Sequence, residues 1–191
     1  MHPLLQRAAE GELPPWAVAG EKRRAHMQRV RALMRAWAQD LGLPPREVDR
    51  WAAAGLLHDA LREAEPESLR PLLAGALAAL PGPVLHGPAA AQRLAAEGVA
   101  DASLIRAVAF HTLGHPEFDA LGMALSAADF LEPGRTSLAE LRDPLRNRMP
   151  GELRKVIREI MAARLRHLLA RGQPVSDFSI HCWNALVESD A

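Results

Sequence analysis

Six residues of types that bind metals stand out in this sequence: His26, His58, Asp59, His86, His111 and Asp129. Imidazole and carboxylate are both good ligands for iron, manganese or zinc. His26 recurs with Val30, Leu33, Trp37 and Leu41 at helical spacing, which puts it on an apolar face turned toward the interior. Alone it reads more readily as a core histidine with a satisfied hydrogen bond. The run Trp51-Ala52-Ala53-Ala54-Gly55-Leu56-Leu57 ends in the adjacent pair His58-Asp59. Burying that pair is costly unless something compensates its charge, and a metal is the simplest partner. A helix end emerging into water explains the pair equally well. His86, before Gly87-Pro88, reads locally as a loop histidine. His111 follows Leu104 and Val108 on one stripe, and Asp129 follows Leu125 by four residues in an apolar run. A lone aspartate there needs a cation or several donors, and a buried arginine is the competing partner.

Taken singly these signals are weak, but together they converge. Four histidines and two aspartates, most on inward helix faces, match the demand of two cations that share a bridging carboxylate and leave positions open for water and substrate. The chemistry expected of such a pair is metal-assisted hydrolysis.

Helices must position these side chains. Ala, Leu, Arg and Glu dominate, alternating β-type runs are absent, and Gly and Pro punctuate the chain. The spacing predicts helices over 21–41, 46–59, 66–79, 87–97, 102–112, 119–131, 150–171 and 177–188. Asp101, Asp119 and Asp177 are expected N-caps, Gly42 a C-terminal stop, and Pro88 sits just inside a helix start. The fold class expected is all-α: one compact multi-helix domain over 1–191, with 22–135 carrying the metal site and 136–191 adding C-terminal helices.

Composition narrows the partners. The 191 residues hold 23 basic and 23 acidic side chains, so no overall field favours nucleic acid or an anionic membrane. The single cysteine, Cys182, excludes a disulfide framework and a cysteine-based zinc pattern, and it reads as a small buried residue rather than a nucleophile. No basic segment followed by an apolar stretch opens the chain, and the longest apolar run, 72–80, is too short to span a bilayer. A cytoplasmic protein with a small-molecule substrate is expected, and a homodimer is compatible with the sequence. Trp37 and Trp51 are assigned to the core; the role of Trp16 stays open.

The pattern His…His-Asp…His…His…Asp resembles the HD-domain superfamily. Ala54-Gly55-Leu56-Leu57-His58-Asp59, His86-Gly87-Pro88-Ala89-Ala90, Phe110-His111-Thr112-Leu113-Gly114 and Ala128-Asp129-Phe130-Leu131-Glu132-Pro133-Gly134-Arg135 are similar to segments of the bacterial YqeK-type symmetrical dinucleoside-tetraphosphate hydrolases. The likeness runs from about Lys22 to the end of the chain, including Trp183-Asn184-Ala185-Leu186. It implies two transition-metal ions, iron first and manganese or cobalt as alternatives. His26, His58, Asp59 and Asp129 would hold one, and Asp59, His86 and His111 the other. It also implies hydrolysis of diadenosine tetraphosphate to two ADP. Two departures concern substrate: Arg62 stands where that family carries Lys, and His115 where a basic residue such as Arg is expected.

The mechanism expected is attack by a hydroxide held between the two metals, with Asp59 central to catalysis. Arg62 and Arg135 would clamp the polyphosphate through two-pronged contacts. Thr112 would hydrogen-bond phosphate, and His115 would contact it or protonate the leaving group. Thr112 also reads as a helix-end residue, Arg135 as a salt-bridge partner and His115 as a turn histidine. The alternatives are a nucleotidase or deoxynucleotide phosphohydrolase on the same site, a di-iron oxygenase, and a binding module without activity.

Overall fold

The computed structural model describes residues 1–188, which form eleven α-helices, two 3-10 turns and, among the described residues, no strand. In chain order the helices are α1 (Pro3–Glu10), α2 (Glu21–Asp40), α3 (Pro45–Leu57), α4 (Pro66–Leu69), α5 (Gly75–Ala78), α6 (His86–Ala96), α7 (Ala102–Phe110), α8 (Ala120–Leu131), α9 (Ala139–Asn147), α10 (Leu153–Ala170) and α11 (Asp177–Glu188). Helix α2 packs along α3, α6 along α7, and α8 bridges the two pairs while α10 covers it from outside. One hydrophobic core runs through all of these contacts. Among the described residues no helix is long and apolar enough to cross a membrane.

Local chemistry explains the helix limits. Asp101 accepts the Leu104 N–H at 3.0 Å and Asp119 the Gly122 N–H at 3.0 Å, so each caps its helix as expected. After α2, Gly42 turns left-handed at φ +66° and Leu43 N–H donates back to the Ala38 carbonyl at 3.0 Å, which closes the last turn. Asp177 does not cap α11. It sits inside the first turn, and the Ser176 hydroxyl accepts the Phe178 N–H instead.

Other expectations need correction. The stretch 66–79 is not one helix: Pro71 has no N–H to donate and Gly75 adopts φ +55°, so the chain forms α4, a 3-10 turn at Arg70–Leu72 and α5. Two helices had no clear sequence signal. Helix α1 is short, with Leu4, Leu5, Ala8 and Ala9 buried against α3. Helix α9 carries Pro144 in its interior, which reads as a break in sequence. The inward face of α2 is Met27, Val30, Met34, Trp37 and Ala38; Leu41 is exposed and Leu33 half-buried. Trp37 and Trp51 belong to the core.

Two glycines set the spacing that the site depends on. A Cβ on Gly55 would stand 2.8 Å from Arg31 Cα, so α2 and α3 touch through their backbones. A Cβ on Gly87 would stand 2.8 Å from the Ala109 carbonyl and 2.9 Å from that of Val108, so α6 meets α7 as closely. Gly55→Ala is therefore expected to overpack the α2–α3 contact and cost about 1–3 kcal/mol, a fall in Tm of roughly 2–12 °C for a chain of this size. An unchanged thermal melt would show that the two helices can part without cost.

Asp101 also takes two hydrogen bonds from Arg50 of α3, at 2.5 and 2.9 Å. Burial raises its pKa, but Arg50 outweighs that and the net shift is downward. A carboxylate lowered in the folded state adds stability above its unfolded pKa and loses it as pH falls through the folded value. Asp101→Ala should cost about 1–2 kcal/mol at neutral pH. The gap to wild type should narrow below about pH 4, as urea titrations at several pH values would measure. A gap constant down to pH 2 would assign the loss to packing instead.

Candidate metal centre

Five helices deliver the six side chains to one place. His26 lies in the second turn of α2, His58 caps the C-terminus of α3 with Asp59 next, and His86 opens α6. His111 caps the C-terminus of α7, and Asp129 lies in the last turn of α8. All six are buried, none more than 9% exposed. The close α2–α3 contact at Gly55 stands one turn before His58 and sets it beside His26. The α6–α7 contact at Gly87 does the same for His86 and His111.

The ligand atoms fall into two groups, each within 4.8 Å: His26, His58, Asp59 and Asp129, and Asp59, His86 and His111. Asp59 belongs to both, with one oxygen for each. Its Oδ2 faces His26 Nε2 at 3.6 Å and His58 Nε2 at 3.4 Å. Its Oδ1 faces His86 Nε2 at 3.1 Å and His111 Nε2 at 3.5 Å. Asp129 Oδ1 completes the first group, 3.2 Å from His26 Nε2 and 3.8 Å from His58 Nε2.

Hydrogen bonding on the far side of each ring decides which nitrogen holds the proton. Nδ1 of His58 meets the Gly55 carbonyl at 2.8 Å, that of His111 the Val108 carbonyl at 2.8 Å, and that of His86 the Pro83 carbonyl at 3.1 Å. Nδ1 of His26 meets Glu132 Oε1 at 3.1 Å. These oxygens can only accept, so each Nδ1 carries hydrogen and donates it. Each Nε2 of a neutral ring then presents a lone pair inward. His26 and His58 Nε2 are 3.3 Å apart, and His86 and His111 Nε2 3.2 Å apart. Lone pair against lone pair is repulsive, and a cation between them removes the conflict. Four nitrogens held by outer hydrogen bonds and two carboxylates form a donor set that fits a pair of transition-metal ions.

The electrostatics agree. Burial alone would raise Asp59 and Asp129, yet both are held well below the usual carboxylate range. The surrounding imidazoles outweigh burial for Asp59, as do His26, His58 and Arg135 for Asp129. Burial pushes His86 down. For His58 burial is opposed and outweighed by Asp59 and Asp129, so its pKa rises. Glu132 resists burial through Arg29 and His26 and falls to about 2, so it stays ionised behind His26.

Several of these partners escape sequence reasoning. Arg23 donates to Asp59 Oδ2 at 2.6 Å and Arg29 to Glu132 Oε2 at 2.6 Å. Glu132, three residues after Asp129 and so on the same face, carried a readable signal. So did Arg23, three residues before His26. Arg164, on the distant α10, carried none; its Nη2 lies 3.8 Å from Asp129 Oδ2.

The expected substrate residues are distributed unevenly. Arg135 donates to Asp129 Oδ1 at 2.6 Å, so it adjoins the first group. Arg62 and His86 line a cavity of about 310 Å³ together with Glu63, Pro66, Leu69 and Pro83. Thr112 follows His111 and is half-buried. The ring of His115 packs on Phe110 at 4.7 Å, and its Nδ1 accepts the Glu117 N–H at 3.1 Å. It belongs to neither ligand group. Cys182 is buried and burial pushes its thiol up, consistent with an inert packing residue.

Comparison with known proteins gives this geometry its context. Residues 23–134 match the HD domain family. The chain is 28% identical to the symmetrical bis(5'-nucleosyl)-tetraphosphatase of Staphylococcus aureus, over 97% of this chain and 94% of that protein. It is 27% identical to the protein of the same name from Halalkalibacterium halodurans, over 54% of this chain and 55% of that one. Its fold is similar to a Clostridium acetobutylicum crystal structure described as a "predicted HD superfamily hydrolase involved in NAD metabolism". That likeness has a TM-score of 0.78 and 25% identity, and it covers 89% of this chain and 91% of that one. The family match spans more than half of the sequence and takes in all six of these buried residues, so the chain belongs to the HD domain family and is a metal-dependent phosphohydrolase.

Proposed function

We propose that this protein hydrolyses a dinucleoside polyphosphate in the cytoplasm, diadenosine tetraphosphate first, and releases two ADP. The observation that carries this reading is Asp59, whose two oxygens each serve a different ligand group. The names of the relatives, which span nearly all of the chain in the first case, favour this substrate class. His26, His58, Asp59 and Asp129 would hold one ion, and Asp59, His86 and His111 a second, with iron preferred over manganese or cobalt. Bound ions would lower the pKa of a water molecule and neutralise charge on the phosphoryl oxygens.

The chain's own groups do the rest. Arg135, beside Asp129, and Arg62, on the cavity that reaches His86, grip the polyphosphate from two sides with fork-shaped donors. Thr112, next to His111, adds a hydroxyl. His115 accepts at Nδ1 from the Glu117 N–H, which leaves the proton on Nε2 for a phosphate oxygen. Water is added across the central P–O–P bridge: one product takes the hydroxyl on phosphorus, and the other keeps the bridging oxygen and gains a proton.

The test is anaerobic purification, metal analysis and a chromatographic assay with diadenosine tetraphosphate. Two ions per chain and ADP as the sole early product are expected. Nucleoside and phosphate released from a mononucleotide would favour a nucleotidase, and oxygen uptake with a polyol an oxygenase. Asp59→Ala should lose both ions and lower turnover by roughly 10³-fold or more, since metal stabilisation of the transition state amounts to several kcal/mol. Its circular dichroism should stay helical. A metal-replete, fully active Asp59→Ala protein would overturn the assignment.

A further inference from the structure

The C-terminal part of the chain lies outside the matched span 23–134, yet one of its residues reaches the centre. Arg164 of α10 has a side chain only 19% exposed and turned inward. Its Nη1 lies 3.3 Å from the His111 carbonyl, 3.2 Å from that of Thr112 and 3.0 Å from Ser126 Oγ. Its Nη2 donates to the Ser126 carbonyl at 3.3 Å. The Ser126 hydroxyl itself donates to the His111 carbonyl at 2.8 Å.

These contacts share a logic. Helix α7 ends at Phe110, so the carbonyls of His111 and Thr112 have no partner within it. A cation at a helix C-terminus is favourable both as a donor and against the helix dipole. The same guanidinium also holds the α8 backbone at Ser126, one turn before Asp129, and stacks over Phe130 with its carbon 5.5 Å from the ring centre. One side chain thus ties the turn carrying His111 to the helix carrying Asp129, which belong to different ligand groups.

We propose that Arg164 is a positioning residue of the metal centre, supplied from outside the matched family region, that fixes His111 relative to Asp129 through the α7 C-terminal carbonyls and Ser126. The proposal rests on the metal reading above but not on the choice of substrate. A lysine cannot serve both helices at once, because its single ammonium lacks the fork that spans the α7 carbonyls and Ser126.

The experiment is anaerobic titration of the metal-free full-length protein with cobalt(II), followed by calorimetry and visible absorption, alongside thermal melts. Wild type should bind two ions. Arg164→Met should remain folded and bind the second ion roughly 10- to 100-fold more weakly, the usual consequence of removing a group that orients a ligand. Arg164→Lys should recover part of that affinity. Ile160→Ala, one turn away on α10 and fully buried, should lower Tm while leaving both affinities largely unchanged, because its apolar side chain offers no donor to the α7 carbonyls or to Ser126. Two ions bound by Arg164→Met at wild-type affinity would overturn the proposal. So would an equal affinity loss in Ile160→Ala, which would mark the effect as general destabilisation. Wild type that takes up no cobalt would overturn the metal reading and the proposal together.

Discussion

A carboxylate withdrawn from water has to be matched by positive charge or by donors, and Asp59 is where this chain meets that requirement most sharply. It is 3% exposed and faces four imidazole nitrogens, two at each oxygen. Because the outer nitrogens are committed to donating, the inner ones offer only lone pairs. The arrangement is consistent with its own surroundings once cations lie between the rings. Much of the helix packing can be understood as the means of holding those rings at contact distance.

That holding is done by absent side chains as much as by present ones. Gly55 lets α3 lie on the backbone of α2, and Gly87 lets α6 lie on that of α7. The first lies one turn before His58 and the second directly after His86. The surrounding core is built mainly from Leu, Ala, Val, Ile, Met and Trp, whose close packing fixes helix separation.

What the sequence revealed divides along physical lines. Helices with strong periodicity and explicit caps were readable, as α7 and α8 show. The six residues His26, His58, Asp59, His86, His111 and Asp129 were readable only as a set, because His26, His111 and Asp129 are polar residues on apolar faces whereas His86 and the His58-Asp59 pair carried weaker local signals. What stayed hidden depends on tertiary contact. Helix α1 is short and gains its stability by packing on α3, which no local pattern announces. Helix α9 tolerates Pro144, and the stretch after α3 breaks where Pro71 and Gly75 act together. Arg164 lies far along the chain from every residue it touches, so nothing in its neighbourhood could indicate a role. His115 is placed by tertiary contact as well: the turn after α7 carries its ring onto Phe110.

The placement of His58 and His111 at the ends of α3 and α7 has one more consequence. A helix C-terminus carries roughly half a negative charge from its aligned peptide groups, and two such ends converge on the same small volume. The backbone therefore contributes to holding cations there in addition to the ligands themselves. A metal-dependent phosphohydrolase faces phosphate-bearing products able to strip metal from its site. Attraction built into two helix axes cannot be protonated or swung aside like a side chain, and it opposes that leaching throughout the catalytic cycle.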